Sequence, residues 1–201
     1  MGYLSLQDVC YSYAKNNPIV DSVSFELEKG KFHSLLGKSG CGKTTLLKLA
    51  AGLLTPNEGS ILLQGERIEP SEKIGFVFQA PTLLEWKTVL DNVLLPVSLK
   101  CKVTKEHVEK AEFLLDIMGL SPLKKVYPTR LSGGQQSRVS IARALMGSPT
   151  LLYMDEPFSA LDAITREELQ DDLLRLCELH QMTVLFVTHD ISEAVYLSDR
   201  I

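Results

Sequence analysis

The sequence predicts an α/β fold built around a largely parallel sheet. Short apolar runs typical of strands alternate with longer segments in which apolar residues recur at helical spacing. The chain has 201 residues, of which 45% are hydrophobic and 23% are charged, so it can bury a core without disulfides or metals. Strands that alternate with helices pair mostly in parallel, which gives the predicted fold class.

The first third of the chain is predicted to consist mainly of strands. Val23, Phe25 and Leu27 alternate with polar neighbours, which is the pattern of a half-buried strand. A helix is predicted over residues 44–51, and Gly52 marks its end. The other strands predicted in this part cover residues 4–9, 32–36, 61–63 and 74–78.

The chain becomes mostly helical after residue 88. Thr104 is a suitable N-cap, apolar residues follow at three- and four-residue spacing, and Gly119 ends this helix. Strands are then predicted over residues 151–154 and 183–187, and helices over 132–145, 161–179 and 191–197. We therefore expect a helical subdomain of residues 88–130, inserted into a core formed by residues 1–87 and 131–201.

Charge and cysteine content argue against several classes of protein. Subtracting 25 acidic from 21 basic residues leaves a net charge of −4, so we expect no nucleic-acid partner. The four cysteines include no C-x-x-C pair, which is typical of reduced thiols in the cytosol. No apolar stretch approaches 18 residues, so we expect no membrane-spanning segment.

A phosphate-binding loop is predicted between the strand at residues 32–36 and the helix that follows it. Residues 37–44 match G-x-x-x-x-G-K-[ST], and not the G-x-G-x-x-G pattern of dinucleotide-binding proteins. Glycines let backbone N–H groups turn toward an anion, and the helix start adds positive charge. Lys43 can reach the β- and γ-phosphates, and the Thr44 hydroxyl can bind Mg²⁺. The candidate nucleotide-binding residues here are Gly37, Lys38, Ser39, Gly40, Cys41, Gly42, Lys43, Thr44 and Thr45.

Two carboxylates end the apolar strand of residues 151–154. Ligands lie at the carboxyl ends of parallel strands, so we expect both carboxylates near the phosphates. Asp155 can bind Mg²⁺ through its water shell, and Glu156 can accept a proton from an attacking water. Because successive side chains of a strand point in opposite directions, the two residues are expected to have different roles.

A second anion-binding site is predicted where a helix opens with Ser132, Gly133, Gly134 and Gln135. With this motif present, the chain resembles the ATP-binding subunits of ABC transporters along essentially its whole length. The motifs that carry the resemblance are the phosphate loop, Gln79 and residues 131–135, 153–157, 159–162 and 188–190. The resemblance implies a P-loop NTPase core with a mostly parallel sheet, an N-terminal antiparallel β portion and an inserted α-helical subdomain.

The resemblance also implies roles for residues outside the phosphate loop. Tyr13 would stack on adenine, and His189 would contact the γ-phosphate. Gln79 would touch Mg²⁺ or the attacking water and link the site to a membrane partner. Asp162 would shape the contact between two subunits. The remaining histidines are interpreted as structural, namely His33, His107 and His180.

The family further implies how the subunit is assembled. Two copies would pair head to tail, so that the phosphate loop of one and Ser132, Gly133 and Gly134 of the other enclose each ATP. The implied cofactors are ATP and Mg²⁺, and the implied partners are transmembrane permease subunits and a solute-binding protein. The homodimer would lie at the cytoplasmic face of the cell membrane as a peripheral component. A soluble ABC-type ATPase without a role in transport is the alternative.

Residues 79–86 resemble one subgroup of importers, which take up nitrate, sulfonates, taurine and thiamine precursors. Glu85 differs from the proline that this subgroup usually has before the tryptophan. Trp86 suits either a partner surface or a local core. The family usually continues beyond Ile201 into a further strand and helices, so the resemblance implies that this chain is short at that end.

Overall fold

The computed structural model describes residues 2–14, 17–68 and 73–201, which form two four-stranded sheets and surrounding helices. The strands are β1 (Leu4–Tyr11), β2 (Val20–Leu27), β3 (Phe32–Leu36), β4 (Glu58–Leu63), β5 (Glu66–Arg67), β6 (Ile74–Val77), β7 (Leu151–Asp155) and β8 (Thr183–Thr188). The helices are α1 (Lys43–Ala50), α2 (Val89–Val93), α3 (Leu95–Ser98), α4 (Lys105–Ile117), α5 (Gly133–Leu145), α6 (Ala163–Leu179) and α7 (Ile191–Leu197). Short 3-10 turns cover Ser121–Leu123 and Pro128–Arg130.

The N-terminal strands form an antiparallel sheet in the order β2-β1-β4-β5. The register of β1 against β2 is interrupted after Leu6, where Asp8 takes a positive φ of 48°. Gly59 of β4 crosses this irregularity so closely that a Cβ there would lie 2.4 Å from the carbonyl oxygens of Gln7 and Asp8. Only glycine fits this crossing without a shift of the backbone.

The second sheet is entirely parallel and has the order β3-β8-β7-β6. Every residue of β7 and β8 is buried, because both faces of the sheet are covered. Because the four strands are parallel, their carboxyl ends lie at the same edge of the sheet. The segments that follow them are the phosphate loop after β3, Gln79 after β6, Glu156 after β7 and His189 after β8.

Alternate residues of the parallel strands face two separate cores. Leu151 and Tyr153 of β7 pack in the core that includes α1 and the antiparallel sheet, and the Tyr153 hydroxyl donates to the carbonyl of Ala50. Leu152 and Met154 face the larger core, which also includes residues of α2, α4, α5 and α6. The parallel sheet is thus fixed from both sides, and the site lies at the edge of this rigid layer.

Helices α2, α3 and α4 and both 3-10 turns lie within residues 88–130, the range of the predicted helical subdomain. The predicted cap of α4 is confirmed, since the Thr104 side chain accepts from the backbone N–H of His107. Helix α6 begins at Ala163 rather than Leu161, because Asp162 is its N-cap. None of the helices that the structure describes combines the length and the apolar character needed to cross a lipid bilayer.

Candidate functional site at the carboxyl edge of the parallel sheet

The phosphate loop wraps around the side chain of Lys43. The Lys43 Nζ donates to the carbonyl oxygens of Gly37 at 2.7 Å and Lys38 at 2.8 Å, which holds the ammonium group against the loop. Gly40 and Gly42 adopt φ values of 81° and 99° in the left-handed region. The loop thus has the backbone conformation and the cation needed to bind an anion.

Gly42 is required by its surroundings as well as by its backbone angle. A Cβ at this position would lie 2.7 Å from the carbonyl oxygen of Ile19, which is a backbone atom. The loop therefore packs directly on the segment that leads into β2. This contact joins the antiparallel sheet to the start of α1.

The Thr44 hydroxyl and the Asp155 carboxylate place two oxygens that could bind a metal close to each other. The Thr44 hydroxyl donates to Oδ1 of Asp155 at 3.0 Å, and Asp155 is buried. Burial raises the pKa of Asp155, while the hydrogen bond from Thr44 and the charges of Lys48 and Lys43 act in the opposite direction. Oxygen donors of this kind suit Mg²⁺, which is typically held by one or two carboxylates together with substrate phosphates.

Glu156 lies next to two other predicted site residues. His189 Nδ1 is 3.1 Å from Glu156 Oε2, and Gln79 Nε2 donates to the same oxygen at 3.5 Å. The side chain of Glu156 is only 14% exposed, whereas that of His189 is 55% exposed. The carboxylate is therefore held in place by polar partners while the histidine remains accessible.

The side chains of Asp155 and Glu156 point in different directions, as expected. The alternation of side chains along a strand is not the whole cause. Glu156 lies beyond the last residue of β7 and adopts a φ of 45°, an uncommon conformation for a residue with a side chain. Its backbone N–H donates to the carbonyl of Val187 at 2.9 Å, and its own carbonyl accepts from the Ser159 hydroxyl at 2.9 Å. This left-handed turn directs Glu156 toward His189 while Asp155 faces Thr44. Backbone strain of this kind is common at functional sites.

Tyr13 lies beside the phosphate loop. Its ring is 58% exposed, and its hydroxyl is 3.5 Å from the Thr45 hydroxyl. The ring of Tyr11 supports it edge-on, with ring centroids 5.0 Å apart. An exposed, supported aromatic ring next to a phosphate loop is suited to stacking on a nucleobase.

The second predicted anion site is at the start of α5. Ser132 and Gln135 form a reciprocal capping box at the start of α5. Gly134 packs so tightly that a Cβ would lie 2.7 Å from Cδ2 of Leu161, and a Cβ on Gly133 would contact Ala160. Among the described residues, no hydrogen bond joins residues 132–135 to the phosphate loop. The chain thus has two separate candidate anion sites.

The family model for the ABC transporter matches residues 20–159, which include the phosphate loop, Gln79, residues 131–135 and the carboxylates. The chain belongs to the ABC transporter family. It is an ATP-binding protein and an ATP hydrolase of that family. The importer-type resemblance and the P-loop NTPase fold predicted from the sequence are confirmed.

Nearly the entire chain aligns with similar proteins. The aliphatic sulfonates import ATP-binding protein SsuB of Bacillus thuringiensis subsp. konkukian is 46% identical over 98% of this chain and 79% of its own length. The bicarbonate transport ATP-binding protein CmpC of a Synechocystis species is 48% identical over 89% of this chain, which corresponds to 27% of that protein. A dimeric ATP-binding cassette, solved in a post-hydrolysis state with ADP and Pi, superposes with a TM-score of 0.88. It is 32% identical and covers 98% of this chain and 96% of its own.

Two arginines of this ABC protein contact the site segments and were not predicted from the sequence. Arg143 of α5 donates to the carbonyl oxygens of Pro81 and Thr82 at 2.9 Å each, and burial lowers its pKa. Arg166 of α6 contacts the turn that contains His189. Both arginines lie on helices with many other polar residues. The sequence therefore did not distinguish them from ordinary solvent-exposed charges, apart from their position close to a motif.

Two predictions about packing are also resolved. Trp86 is 74% exposed, so the interpretation of this residue as part of a local core is wrong. His33 is buried, with Nε2 accepting from the backbone N–H of Glu28 at 3.1 Å, which agrees with its structural interpretation. His107 belongs to the cap of α4 and His180 lies at the end of α6, both away from the phosphate loop in the sequence.

Proposed function

We propose that this chain is the ATP-hydrolysing subunit of an ABC-type importer and that it drives solute uptake through separate transmembrane subunits. The observation that carries the proposal is the polar cluster around Glu156, where His189 and Gln79 contact one carboxylate oxygen. This cluster lies at the same sheet edge as the phosphate loop. The relatives named for aliphatic sulfonate import and bicarbonate transport support an importer.

In this proposal each residue of the site has a separate role in ATP binding or hydrolysis. The backbone of the phosphate loop and Lys43 bind the phosphates, while Tyr13 stacks on adenine. Glu156 accepts the proton of the attacking water, because its carboxylate is held by His189 and Gln79 at the same sheet edge as the loop. His189, the more exposed partner of Glu156, contacts the γ-phosphate.

Mg²⁺ is the proposed metal cofactor, and the donor set fits it. Thr44 and Asp155 offer a hydroxyl and a carboxylate oxygen, and Gln79 adds an amide at the same edge. Among the described residues there is no cluster of three or more His, Cys, Asp or Glu that could hold a metal. A site of this kind relies on phosphate oxygens to complete the coordination. When bound, Mg²⁺ would neutralise charge that develops on the phosphates.

We infer that two copies act as a head-to-tail homodimer. The start of α5 offers a second candidate anion site besides the phosphate loop, and in the proposed dimer the loop of one chain and residues 132–135 of the other enclose each ATP. ATP would then favour the closed pair, because it contacts both chains only in that state. The dimeric cassette with bound ADP and Pi is consistent with this assembly. Asp162, at the N-terminus of α6, lies beside Leu161, which packs on the Gly134 region.

A groove beside Gln79 is the proposed contact for the transmembrane permease. It has a volume of about 420 Å³ and its lining includes Phe78, Leu95, Leu99 and Arg143. Leu99 of this lining is 77% exposed, and Trp86, which lies outside the lining, is 74% exposed, so each offers a large apolar side chain to a partner. Arg143 holds the loop that follows Gln79, which connects the groove to the catalytic edge.

The proposal also covers the organisation of the subunit. Residues 88–130 would form the helical subdomain, and residues 1–87 and 131–201 the nucleotide-binding core. The dimer would bind at the cytoplasmic face of the membrane through the permease, and a solute-binding protein would deliver the cargo. The relatives' names make small sulfonates and bicarbonate the first solutes to assay with the assembled transporter.

The proposed base is tested by Glu156→Gln. We expect ATP binding to be retained and hydrolysis to fall roughly a hundredfold or more, because general base catalysis typically contributes that much. ATP should also trap a dimer, detected by size-exclusion chromatography with light scattering. Glu168→Gln, an exposed residue of α6, is the charge-matched control and should behave like the wild type. Normal hydrolysis by Glu156→Gln within the assembled transporter would rule out the assignment.

The importer assignment is tested by purification from membranes. A polytopic membrane protein should co-purify with the wild type, and less of it should co-purify with Trp86→Asp and Leu99→Asp, while the ATPase rate of the isolated protein changes little.

The dimer mechanism is tested by the concentration dependence of hydrolysis. The specific ATPase activity should rise with protein concentration, because the proposed site needs two copies. Activity independent of concentration would contradict the dimer mechanism.

A further inference from the structure

Arg166 joins two segments of the site that are far apart in the sequence. Its Nη2 donates to the carbonyl oxygen of Leu161 at 3.1 Å, in the loop before α6. Its Nη1 lies 3.6 Å from Oδ2 of Asp190 and 3.7 Å from Oε1 of Glu193, which follow β8. One guanidinium group thus connects the loop that packs on Gly134 to the turn that contains His189.

The carboxylates that face Arg166 also shape the turn around His189. Asp190 Oδ1 accepts from the backbone N–H groups of Ser192 at 2.7 Å and Glu193 at 3.3 Å, which caps α7. The Thr188 hydroxyl donates to Oε2 of Glu193 at 2.6 Å and accepts from the Asp190 N–H at 3.0 Å. His189 therefore lies between two residues, Thr188 and Asp190, whose side-chain oxygens are all in polar contacts.

These contacts differ from an ordinary surface ion pair, which contributes little to stability. The Arg166 side chain is 30% exposed and that of Glu193 only 9%. Burial raises the pKa of Glu193, and the hydrogen bond from Thr188 and the charge of Arg166 oppose this effect. The planar guanidinium group of an arginine can contact a carbonyl and two carboxylates at the same time, which the single ammonium group of a lysine cannot do equally well.

We propose that Arg166 is a positioning residue for ATP hydrolysis, which holds the His189 turn against Glu156 and couples its position to the loop at Leu161. The proposal rests on the proposed function, because it takes Glu156 as the base and His189 as the γ-phosphate contact. Arg166 itself touches neither ATP nor the attacking water in this account. Its loss displaces His189 and leaves the phosphate loop intact.

The first test compares the purified proteins Arg166→Ala, Arg166→Lys and Arg175→Ala, with Arg175 as an exposed arginine of the same helix. We expect Arg166→Ala to lower kcat at least tenfold with KM for Mg-ATP and the Kd for a fluorescent ATP analogue within twofold of the wild type. Arg166→Lys should recover part of kcat, and Arg175→Ala should match the wild type. Rates are divided by the fraction of protein that binds the analogue, so that misfolded protein does not count as a catalytic defect.

The second test asks whether Arg166 acts through His189. Single-turnover hydrolysis of radiolabelled ATP is measured for His189→Ala with and without Arg166→Ala. We expect the double variant to be no slower than His189→Ala alone, because the residue being positioned is already absent. A further loss of the same size as in the wild-type background would show a merely structural role and overturn the proposal.

Failure of this inference is distinguishable from failure of the proposed function. Normal kcat in Arg166→Ala, with Glu156→Gln inactive, would refute the positioning role and leave the proposed base unaffected. Normal hydrolysis in Glu156→Gln would instead refute the proposed function. Parallel changes of kcat and ATP affinity in Arg166→Ala would also overturn the inference, because they would place the defect at the phosphate loop.

Discussion

The Thr44 hydroxyl donates a 3.0 Å hydrogen bond to Oδ1 of Asp155, which joins the first turn of α1 to the carboxyl end of β7. The two residues are 111 positions apart in the sequence. Burial favours the neutral form of Asp155 by raising its pKa, and the hydrogen bond from Thr44 favours the charged form. Thr44 therefore helps to keep Asp155 ionised, and in the proposed Mg²⁺ site its hydroxyl would also be an oxygen ligand.

The hydroxyl of Thr44 is predicted to be required for Mg-dependent hydrolysis. Thr44→Val keeps the size of the side chain but removes the donor, so we expect a loss of about tenfold or more in ATPase rate, since a hydrogen bond to a charged group contributes roughly 1.5–3 kcal/mol. Thr44→Ser restores the hydroxyl and should retain most of the activity. The measurement is ATPase rate against Mg²⁺ concentration. The same Mg²⁺ dependence for Thr44→Val and the wild type would contradict the prediction.

Gly42→Ala is predicted to disrupt ATP binding as well as stability. A Cβ at this position would lie 2.7 Å from the Ile19 carbonyl oxygen, and the φ of 99° disfavours any side chain. The matched control is Gly65→Ala, at a φ of 87° with no atom within 4 Å of its Cβ. Both variants should lose about 1–2 kcal/mol of unfolding free energy through backbone strain, and Gly42→Ala should lose more because its Cβ also meets the Ile19 carbonyl oxygen. Only Gly42→Ala should also lose affinity for ATP, measured by isothermal titration calorimetry; equal affinities in the two variants would refute the role of the contact.

Alkylation of Cys41 is predicted to block ATP hydrolysis. Cys41 is exposed, and its Sγ lies 4.0 Å from Lys43 Nζ, so an added group would occupy the space at the loop. N-ethylmaleimide should inhibit the wild type, and bound ATP should protect it. Cys41→Ser should be active and resistant, whereas Cys101→Ser, which removes the other exposed thiol, should remain sensitive. Burial raises the pKa of Cys177 to about 12, so that thiol should react slowly. Full modification of Cys41 without inhibition would rule out this prediction.

The site segments could be predicted from the sequence because each depends on local chemistry. A phosphate loop needs glycines and a lysine between a strand and a helix, and the carboxylates need only the end of a buried strand. The rule that ligands bind at the carboxyl ends of parallel strands then places Asp155 and Glu156 at one edge, whereas His189 was identified through the family resemblance. The start of α6 was misplaced by two residues because Asp162 caps the helix from outside it.

Contacts between distant helices could not be predicted in this way. Arg166 follows Thr165 and precedes two glutamates, a pattern typical of a solvated helix face, and its carboxylate partners occur only after β8. Whether these residues meet depends on how α6 packs against α7, which local spacing does not specify. The exposure of Trp86 likewise depends on the path of the loop, which buried Asn92 fixes through bonds to the Leu84 backbone.

The buried His33 is predicted to make the fold less stable in mild acid. Nε2 accepts from the Glu28 N–H at 3.1 Å and Nδ1 lies 3.2 Å from the Lys31 carbonyl, so the neutral ring satisfies both positions. Burial lowers the pKa of His33 below its ordinary value of 6.5, and the unfolded chain therefore binds a proton that the native chain does not. Stability is unaffected by this group above pH 6.5 and falls as the pH drops below it, by at most about 1.4 kcal/mol per pH unit.

The variant His33→Gln isolates this contribution, because glutamine does not titrate. Urea unfolding at pH 7.5 and 5.5 gives the loss of unfolding free energy for each protein, and the loss should be larger for the wild type. Asp155 and Glu193 have raised pKa values, which act with the opposite sign, but they are common to both proteins and cancel in the comparison. An equal loss in the two proteins would mean that His33 is protonated in the native state and that its contact with the Glu28 N–H does not survive in solution.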